Sequence, residues 1–377
     1  MKSLNTKDVE QIAARAVEGS RPTLNEAIAL LSLTVGTPAA DALFEAAQHL
    51  RTIHFGSRIF LYGFVYLSTY CRNNCSFCHW RRELFSLKRY RKTSQQMLEA
   101  ANNLAGTGVC LIDLTMGEDP AFLSPDGFDL LCQTAAQIAQ QTSLPIMLSP
   151  GVLDNQQILK IKNSGVTWYA LYQETYNRTL FKAWRRDQDF DLRMESKNTA
   201  AALGLLVEDG LLVGAGASTT DLANSLAQSG AWGAPQVRAM AYVPSPGGLL
   251  PDQGVQAVLQ ELLTIATLRL FYPKAFIPAS LDVEGLIGLA PRLKAGANVV
   301  TSLVPADLGL AGVACSELDI DNNNRGADRV AQILDTGHLS AGTPAQYLSA
   351  LDQLRSTKNI GQLPKAAAET KDAAAIN

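Results

Sequence analysis

Between residues 59 and 305 the chain alternates short, almost wholly apolar runs with longer amphipathic ones. The apolar runs are IFLYGFVYL (59–67), VCLIDL (109–114), LPIML (144–148), VTWYALY (166–172), GLLVG (210–214), QVRAMAY (236–242), AFIPA (275–279) and NVVTSL (298–303). Runs this short and this continuously apolar predict strands covered on both faces, as in a parallel sheet. Between them stand SQQMLEAANNLA, FDLLCQTAAQIAQ, DNQQILKIKN, DLRMESKNTAAAL, TTDLANSLAQ, VQAVLQELLTIATLRL and DVEGLIGLAPRLKA, whose patterns are helical. Eight strands separated by helices predict an α/β fold, a (β/α)8 barrel of TIM type. The span is close to the ~250 residues such barrels use.

The flanks read differently. Pro22-Thr23 opens an amphipathic helix, EAIALLSL, and a second helix runs through DALFEAAQHLRTI, so residues 1–58 are expected to form an N-terminal helical extension. The barrel occupies 59–320. Residues 321–377 hold two more helical stretches, 325–335 and 344–355, expected to pack on the barrel. They end in PKAAAETKDAAAIN, which has little to bury and is expected to fray.

Composition narrows the function. At 377 residues, with 47% hydrophobic and 18% charged positions, the chain can bury a large core. A net charge of -3 supplies no basic field for nucleic acid. The apolar run 59–68 is too short to span a bilayer, and the polar opening MKSLNTKDVEQ is unlike a secretory signal. No nucleic acid, no membrane and a cytoplasmic location are the expectations.

Six cysteines are too few for a disulfide framework, yet three fall within eight residues. Cys71, Cys75 and Cys78 form C-x3-C-x2-C directly after the first predicted strand. Three thiolates on one loop can hold three irons of a [4Fe-4S] cluster and leave the fourth open to a chelating small molecule. Two blander readings compete. Positions i, i+4 and i+7 could share a buried helix face, but Arg72, Asn73 and Asn74 break the apolar stripe. Structural zinc would want a fourth ligand, and His79 adjoins Cys78 too closely for the usual spacings. Cys110 and Cys132 read as core residues and Cys315 as part of a late loop.

Barrel enzymes place their chemistry just after strand ends, and polar residues recur there. Asp113 interrupts the apolar run VCLIDL, with Gly117 and Glu118 following it. Glu174 follows the fourth strand, and Arg193 stands on the next helix, where it could equally be a solvated charge. Gly214 ends the fifth strand, where a glycine admits either a close ligand or tight strand-to-helix packing. Arg238 lies inside the sixth strand, a costly place for a charge unless an anion meets it. Ser280 and Asp282 close the seventh strand, where Ser280 could also cap a helix.

The cysteine triplet, with Phe77 before its last member, resembles the signature of radical S-adenosylmethionine enzymes. FVYLSTYCRNNCSFC, LIDLTMGEDP, VRAMAYVPSPG, IPASLDVEGL and RLKAGANVVTS extend the likeness from residue 23 to about 320. Within the biotin synthase and hydrogenase-maturation branch they most resemble the methylornithine synthases of pyrrolysine biosynthesis. That resemblance implies a [4Fe-4S] cluster on Cys71, Cys75 and Cys78 and S-adenosyl-L-methionine as cofactors. It implies cofactor contacts from Gly117, Glu118, Glu174 and Arg193, and Gly214 is expected to let backbone approach the adenine. It implies an L-lysine-like substrate, its carboxylate on Arg238 and its amino groups on Asp113, Ser280 and Asp282. The reaction implied is a carbon-skeleton isomerisation of L-lysine to (3R)-3-methyl-D-ornithine. An adenosyl radical takes a side-chain hydrogen, the skeleton fragments, and the glycyl piece rejoins elsewhere. An electron donor such as flavodoxin or ferredoxin is implied as partner. Met116 replaces the first glycine of the family's Gly-Gly-Glu-like turn, and His79-Trp80 follows the triplet where a plainer aromatic pair is expected. Thr115 stands near a position where biotin synthase ligates its second cluster, which disfavours sulfur insertion. A radical enzyme for another small substrate, and an iron–sulfur or zinc binding module, remain open.

Overall fold

The computed structural model describes residues 4–86, 88–229, 235–244, 248–305 and 325–356. Eight parallel strands form the barrel: β1 (Arg58–Ser68), β2 (Leu111–Met116), β3 (Ile146–Ser149), β4 (Trp168–Ala170), β5 (Leu206–Val213), β6 (Gln236–Ala241), β7 (Pro278–Ser280) and β8 (Val299–Leu303). Their order is β6-β5-β4-β3-β2-β1-β8-β7. Among the described residues the β6–β7 seam is joined at its N-terminal end, where Val237 N donates to Phe276 O at 3.2 Å and Phe276 N to Pro235 O at 2.9 Å. A two-residue strand, β9 (Ser340–Ala341), pairs with Arg58 and Ile59 of β1. The TIM-type α/β architecture is as the apolar pattern predicts.

Three local differences have physical causes. The fifth strand begins at Leu206, four residues before the apolar run, because Glu208 and Asp209 are buried within it and mask the strand pattern. The stretch 282–295 is two short helices, Leu281–Glu284 and Leu289–Lys294, since Gly285 takes φ 61° and ends the first turn. A helix at Arg178–Trp184, capped by the Asn177 side chain, falls in a segment whose polar opening concealed it.

The N-terminal segment is tied to the barrel. Helices Thr6–Val17, Leu24–Leu31 and Pro38–Phe55 each start on a side-chain cap, Asn5, Thr23 and Thr37. From the last of them, buried Arg51 donates through Nη1 to the carbonyls of Leu293 (2.5 Å) and Ala297 (3.3 Å), satisfying a helix C-terminus beside β8. The C-terminal helix Pro344–Ser356 closes the barrel floor. Its Tyr347 ring packs on Phe60 and Phe276, and its hydroxyl meets that of Tyr62 at 2.8 Å. Cys110, one of the expected core cysteines, is buried there against the Gly342 carbonyl, and Cys132 is buried on the helix Pro125–Thr142. Cys315, the last expected barrel residues 306–320, and the stretch from 357 lie outside the described residues. No helix among the described residues is long and apolar enough to cross a membrane.

Outside the barrel, Arg292 and Glu261 form a fully buried bidentate pair at 2.9 and 2.6 Å, which locks the helix Val255–Phe271 to Leu289–Lys294. Removing one partner of such a pair strands the other charge in a dry interior. Glu284 still reaches Arg292 Nη1 at 2.9 Å, so the loss is partial. Glu261→Ala is expected to cost about 3 kcal/mol in urea unfolding, the lower end for a broken buried pair. Unfolding indistinguishable from the parent would contradict this.

Candidate active site

The C-terminal mouth of the barrel opens into a cavity of about 240 Å³ that reaches from the cysteine loop down to Arg238 on β6. All three cysteines of the triplet line it. The loop that carries them is held by neighbours: Arg72 N donates to Glu118 O at 3.0 Å, and Ser76 N to Trp184 O at 2.7 Å. Each thiol sulfur receives an N–H. Cys71 Sγ takes Asn73 N and Cys78 Sγ takes Trp80 N, both at 3.4 Å. Cys75 Sγ takes Gln188 Nε2 at 2.9 Å and Arg185 Nη1 at 3.7 Å. Donors aimed at sulfur favour thiolate and are what a cluster ligand requires. Three soft donors with this shell fit an iron–sulfur cluster.

Gly117 and Glu118 lie against the loop as expected. A Cβ on Gly117 would stand 2.8 Å from Cys71 Cβ, so only glycine lets the two segments touch. Glu118 accepts from Arg72 Nε at 2.8 Å and Val152 N at 3.1 Å, with Arg193 3.9 Å away. Gly151, at φ 89°, makes room for it, since a Cβ there would overlap Glu118 Cγ at 2.0 Å.

Glu174 and Arg193 both line the cavity. Glu174 sits at φ 68°, an unusual backbone for a non-glycine, and is fixed there by Glu174 N to Gly210 O (2.9 Å) and Leu212 N to Glu174 O (3.0 Å). Arg185 neutralises it at 2.6 Å, and burial raises its carboxyl above the usual range. Arg193 is buried rather than solvated. It donates to Tyr172 O at 2.7 Å and to Gln188 Oε1 at 3.0 Å, and burial lowers its guanidinium to about 10. Arg185 and Gln188 therefore connect the cysteine loop to both residues. Neither was singled out from sequence, because charged and amide residues on a loop carry no periodic signal.

Deeper in the barrel, Arg238 is buried and lines the cavity floor. Its Nε donates to Glu208 at 3.0 Å and its Nη1 to Thr301 at 3.0 Å, while Nη2 has no hydrogen-bond partner. The rings of Tyr172 and Phe64 flank it at 5.4 and 5.9 Å. Asp113 lies one layer below Thr115, which does line the cavity, and takes the Ser149 hydroxyl at 3.0 Å on one oxygen. Its other oxygen is unpartnered. Burial, then the charge of Glu208, push the Asp113 carboxyl up to about 8.

Three of the expected site residues, Asp113, Gly214 and Ser280, are not among the residues that line the cavity. Gly214 is not among the residues at the cavity. A Cβ there would fall 2.2 Å from Ala257 Cβ, so this glycine serves strand-to-helix packing. Ser280 caps the turn at Asp282 N (3.3 Å) and meets Ser302, and it too is away from the cavity wall. Asp282 does reach the wall, but it is already held by Arg325 at 2.5 Å, Ser302 at 2.7 Å and Tyr66 at 3.2 Å. Arg325 lies 43 residues downstream, beyond any spacing a sequence pattern could link.

Residues 65–227 match the Radical SAM superfamily. Over 352 residues the chain is 37% identical to the 3-methylornithine synthase of Methanosarcina acetivorans, covering 93% of this chain and 99% of that protein. The chain belongs to the methylornithine synthase family. A crystal structure of methylornithine synthase matches with a TM-score of 0.84 at 36% identity, covering 90% of this chain and 99% of that one. The FeFe-hydrogenase maturase subunit HydE of Thermotoga maritima is 28% identical over 263 residues, covering 69% of this chain and 74% of that protein. As radical SAM enzymes, members of this family work with a [4Fe-4S] cluster and S-adenosyl-L-methionine, and the sulfur-directed donors found here suit that cluster.

The contact between Gly117 and Cys71 gives a sharp test. Gly117→Ala is expected to displace Cys71 and cut iron content and cluster absorbance after anaerobic reconstitution, with the melting temperature little changed. Full cluster loading in that variant would show that the loop tolerates the displacement.

Proposed function

We propose that the chain isomerises L-lysine to (3R)-3-methyl-D-ornithine, with Cys71, Cys75 and Cys78 holding the cluster. Glu118, Glu174, Arg193 and the Gly117 backbone hold S-adenosylmethionine. When bound, cluster and cofactor supply the primary carbon radical that takes a hydrogen from substrate. The chain's own residues supply binding, orientation and exclusion of water.

The observation that carries this reading is the unpartnered Nη2 of Arg238 at the floor of the barrel cavity. A buried guanidinium edge left open is suited to a carboxylate, which it meets by charge-assisted hydrogen bonds. Asp113, with one free oxygen nearby on β2, supplies the counterpart for an ammonium group. A ligand with both groups is an amino acid. Asp282, already paired with Arg325, acts by shaping the wall through Tyr66 and Ser302 and offers a second, shared contact to an amine. Isomerisation conserves every atom, so its two carbon fragments must stay in place between bond breaking and bond making. The Arg238 anchor at one end and the packed rings of Phe64, Tyr66 and Tyr172 along the wall keep them there. A small one-electron carrier such as flavodoxin or ferredoxin supplies the reducing equivalent.

Two measurements test this. Reconstituted enzyme given lysine, S-adenosylmethionine and dithionite is expected to yield an isomer of lysine of unchanged mass. Formation of 5′-deoxyadenosine with no isomer would sink the assignment of lysine as substrate. The second concerns pH. Asp113 is protonated below about 8 and must be ionised to hold an ammonium group, so KM is expected to fall as pH rises through that value. In Asp113→Asn the inflection should vanish, whereas a titration of the substrate's own amine would persist.

A further inference from the structure

The cysteine loop has an outer face as well as an inner one. On the outside lies a groove of about 640 Å³ bordered by Tyr70, Arg72, Arg82, Phe85, Arg89 and Cys71. Cys71 belongs to both spaces: it lines this outer groove and the inner cavity. Cys75 and Cys78 line the inner cavity alone among the described cavities. The thiol of Cys71 is thus a short covalent wall between the cluster site and the outside of the molecule.

The chain around that wall is rich in basic residues. Residues 70–91 carry six Lys and Arg (Arg72, Arg81, Arg82, Lys88, Arg89 and Arg91) and one acid, Glu83, in a protein of net charge -3. Part of this charge is spent internally. Arg91 is paired with buried Asp119 at 2.7 Å, and Arg72 reaches Glu118 at 2.8 Å while remaining half exposed. Arg89 meets only backbone carbonyls, among them Trp80 O at 3.0 Å and Arg81 O at 2.8 Å, so its charge is uncompensated by any carboxylate among the described residues. Arg82 and Lys88 are exposed, and Arg82 makes no ion pair there. Beside them Phe85 is 86% exposed, a large apolar side chain turned to solvent in the middle of a basic patch.

We infer that this groove is the docking face for an acidic one-electron carrier protein of flavodoxin type, with electron entry at the Cys71 edge. The inference rests on the radical-enzyme reading above. The positive field of Arg82, Lys88 and Arg89 steers an acidic surface toward the loop, and Phe85 and Tyr70 supply the apolar centre that a transient interface needs. The transfer is balanced: one electron leaves the reduced flavin of the carrier and enters the cluster through the Cys71 side, and no bond is made or broken at the groove.

The test uses the reconstituted holoenzyme and purified flavodoxin, read in two ways. Binding of oxidised flavodoxin to the wild-type enzyme, followed by stopped flow and calorimetry, should weaken steeply with salt. The Arg82→Glu, Lys88→Glu double variant is expected to slow association about tenfold or more. Phe85→Ser is expected to raise the dissociation rate. Both variants should keep the wild-type melting curve and iron content, and should cleave S-adenosylmethionine at the wild-type rate with dithionite, while losing the flavodoxin-driven rate. Wild-type flavodoxin binding and electron uptake in both variants would place docking elsewhere and overturn the inference, as would salt-insensitive or absent binding by the wild type. Failure with dithionite as well, in wild-type enzyme, would count instead against the radical-enzyme reading.

Discussion

A guanidinium buried inside a parallel barrel has to be neutralised, and the way Arg238 is neutralised organises the centre of this protein. Its partner Glu208 is two residues into β5, diagonal to it across the ladder that pairs Glu208 with Gln236 and Gly210 with Arg238. Tyr172 donates to the same carboxylate at 3.1 Å, and Gly210 is glycine because a Cβ there would lie 2.7 Å from that ring. Burial raises the Asp113 carboxyl, and the charge of Glu208 adds to that. The buried Arg238–Glu208 pair thereby sets the ring that forms the cavity wall and leaves a guanidinium edge open to a ligand. Such networks are costly when incomplete, so an edge left open inside an otherwise satisfied set points to a ligand.

Above that layer the cofactor end is built by a second set of linked contacts. Strand ends deliver Glu118 and Glu174 to one mouth because all eight strands run the same way. The loop with the three thiols then has to be held against them. Gly117 and the backbone bond from Arg72 to Glu118 do so on one side, and Arg185 and Gln188 on the other. Gln188 bridges Arg193 and Cys75, so one amide serves both the arginine proposed to hold the cofactor and a cysteine of the triplet. At the opposite end, Tyr347 and the aromatic side chains around it seal the floor. The barrel is left with a single working mouth among the described residues, with the basic outer groove on the far side of Cys71.

The sequence by itself determined the class of fold and the cluster loop. Eight apolar runs at barrel spacing, and thiols at i, i+4 and i+7 with polar residues between them, are local signals, set by backbone period and by the reach of one loop. Arg238 and Asp113 were legible for the same kind of reason, as charges inside apolar strands that need a partner or a ligand. What only the tertiary structure decided is which partner each charge has. Glu208 for Arg238, Arg325 for Asp282, and Arg185 with Gln188 for Cys75 lie 30, 43, 110 and 113 residues away along the chain. It likewise decided that Gly214 packs on Ala257 while Gly117 touches Cys71, although both are glycines at strand ends. Electrostatic pairing and steric contact depend on distance in space. Once the chain has closed into a barrel, that distance bears no fixed relation to separation in sequence.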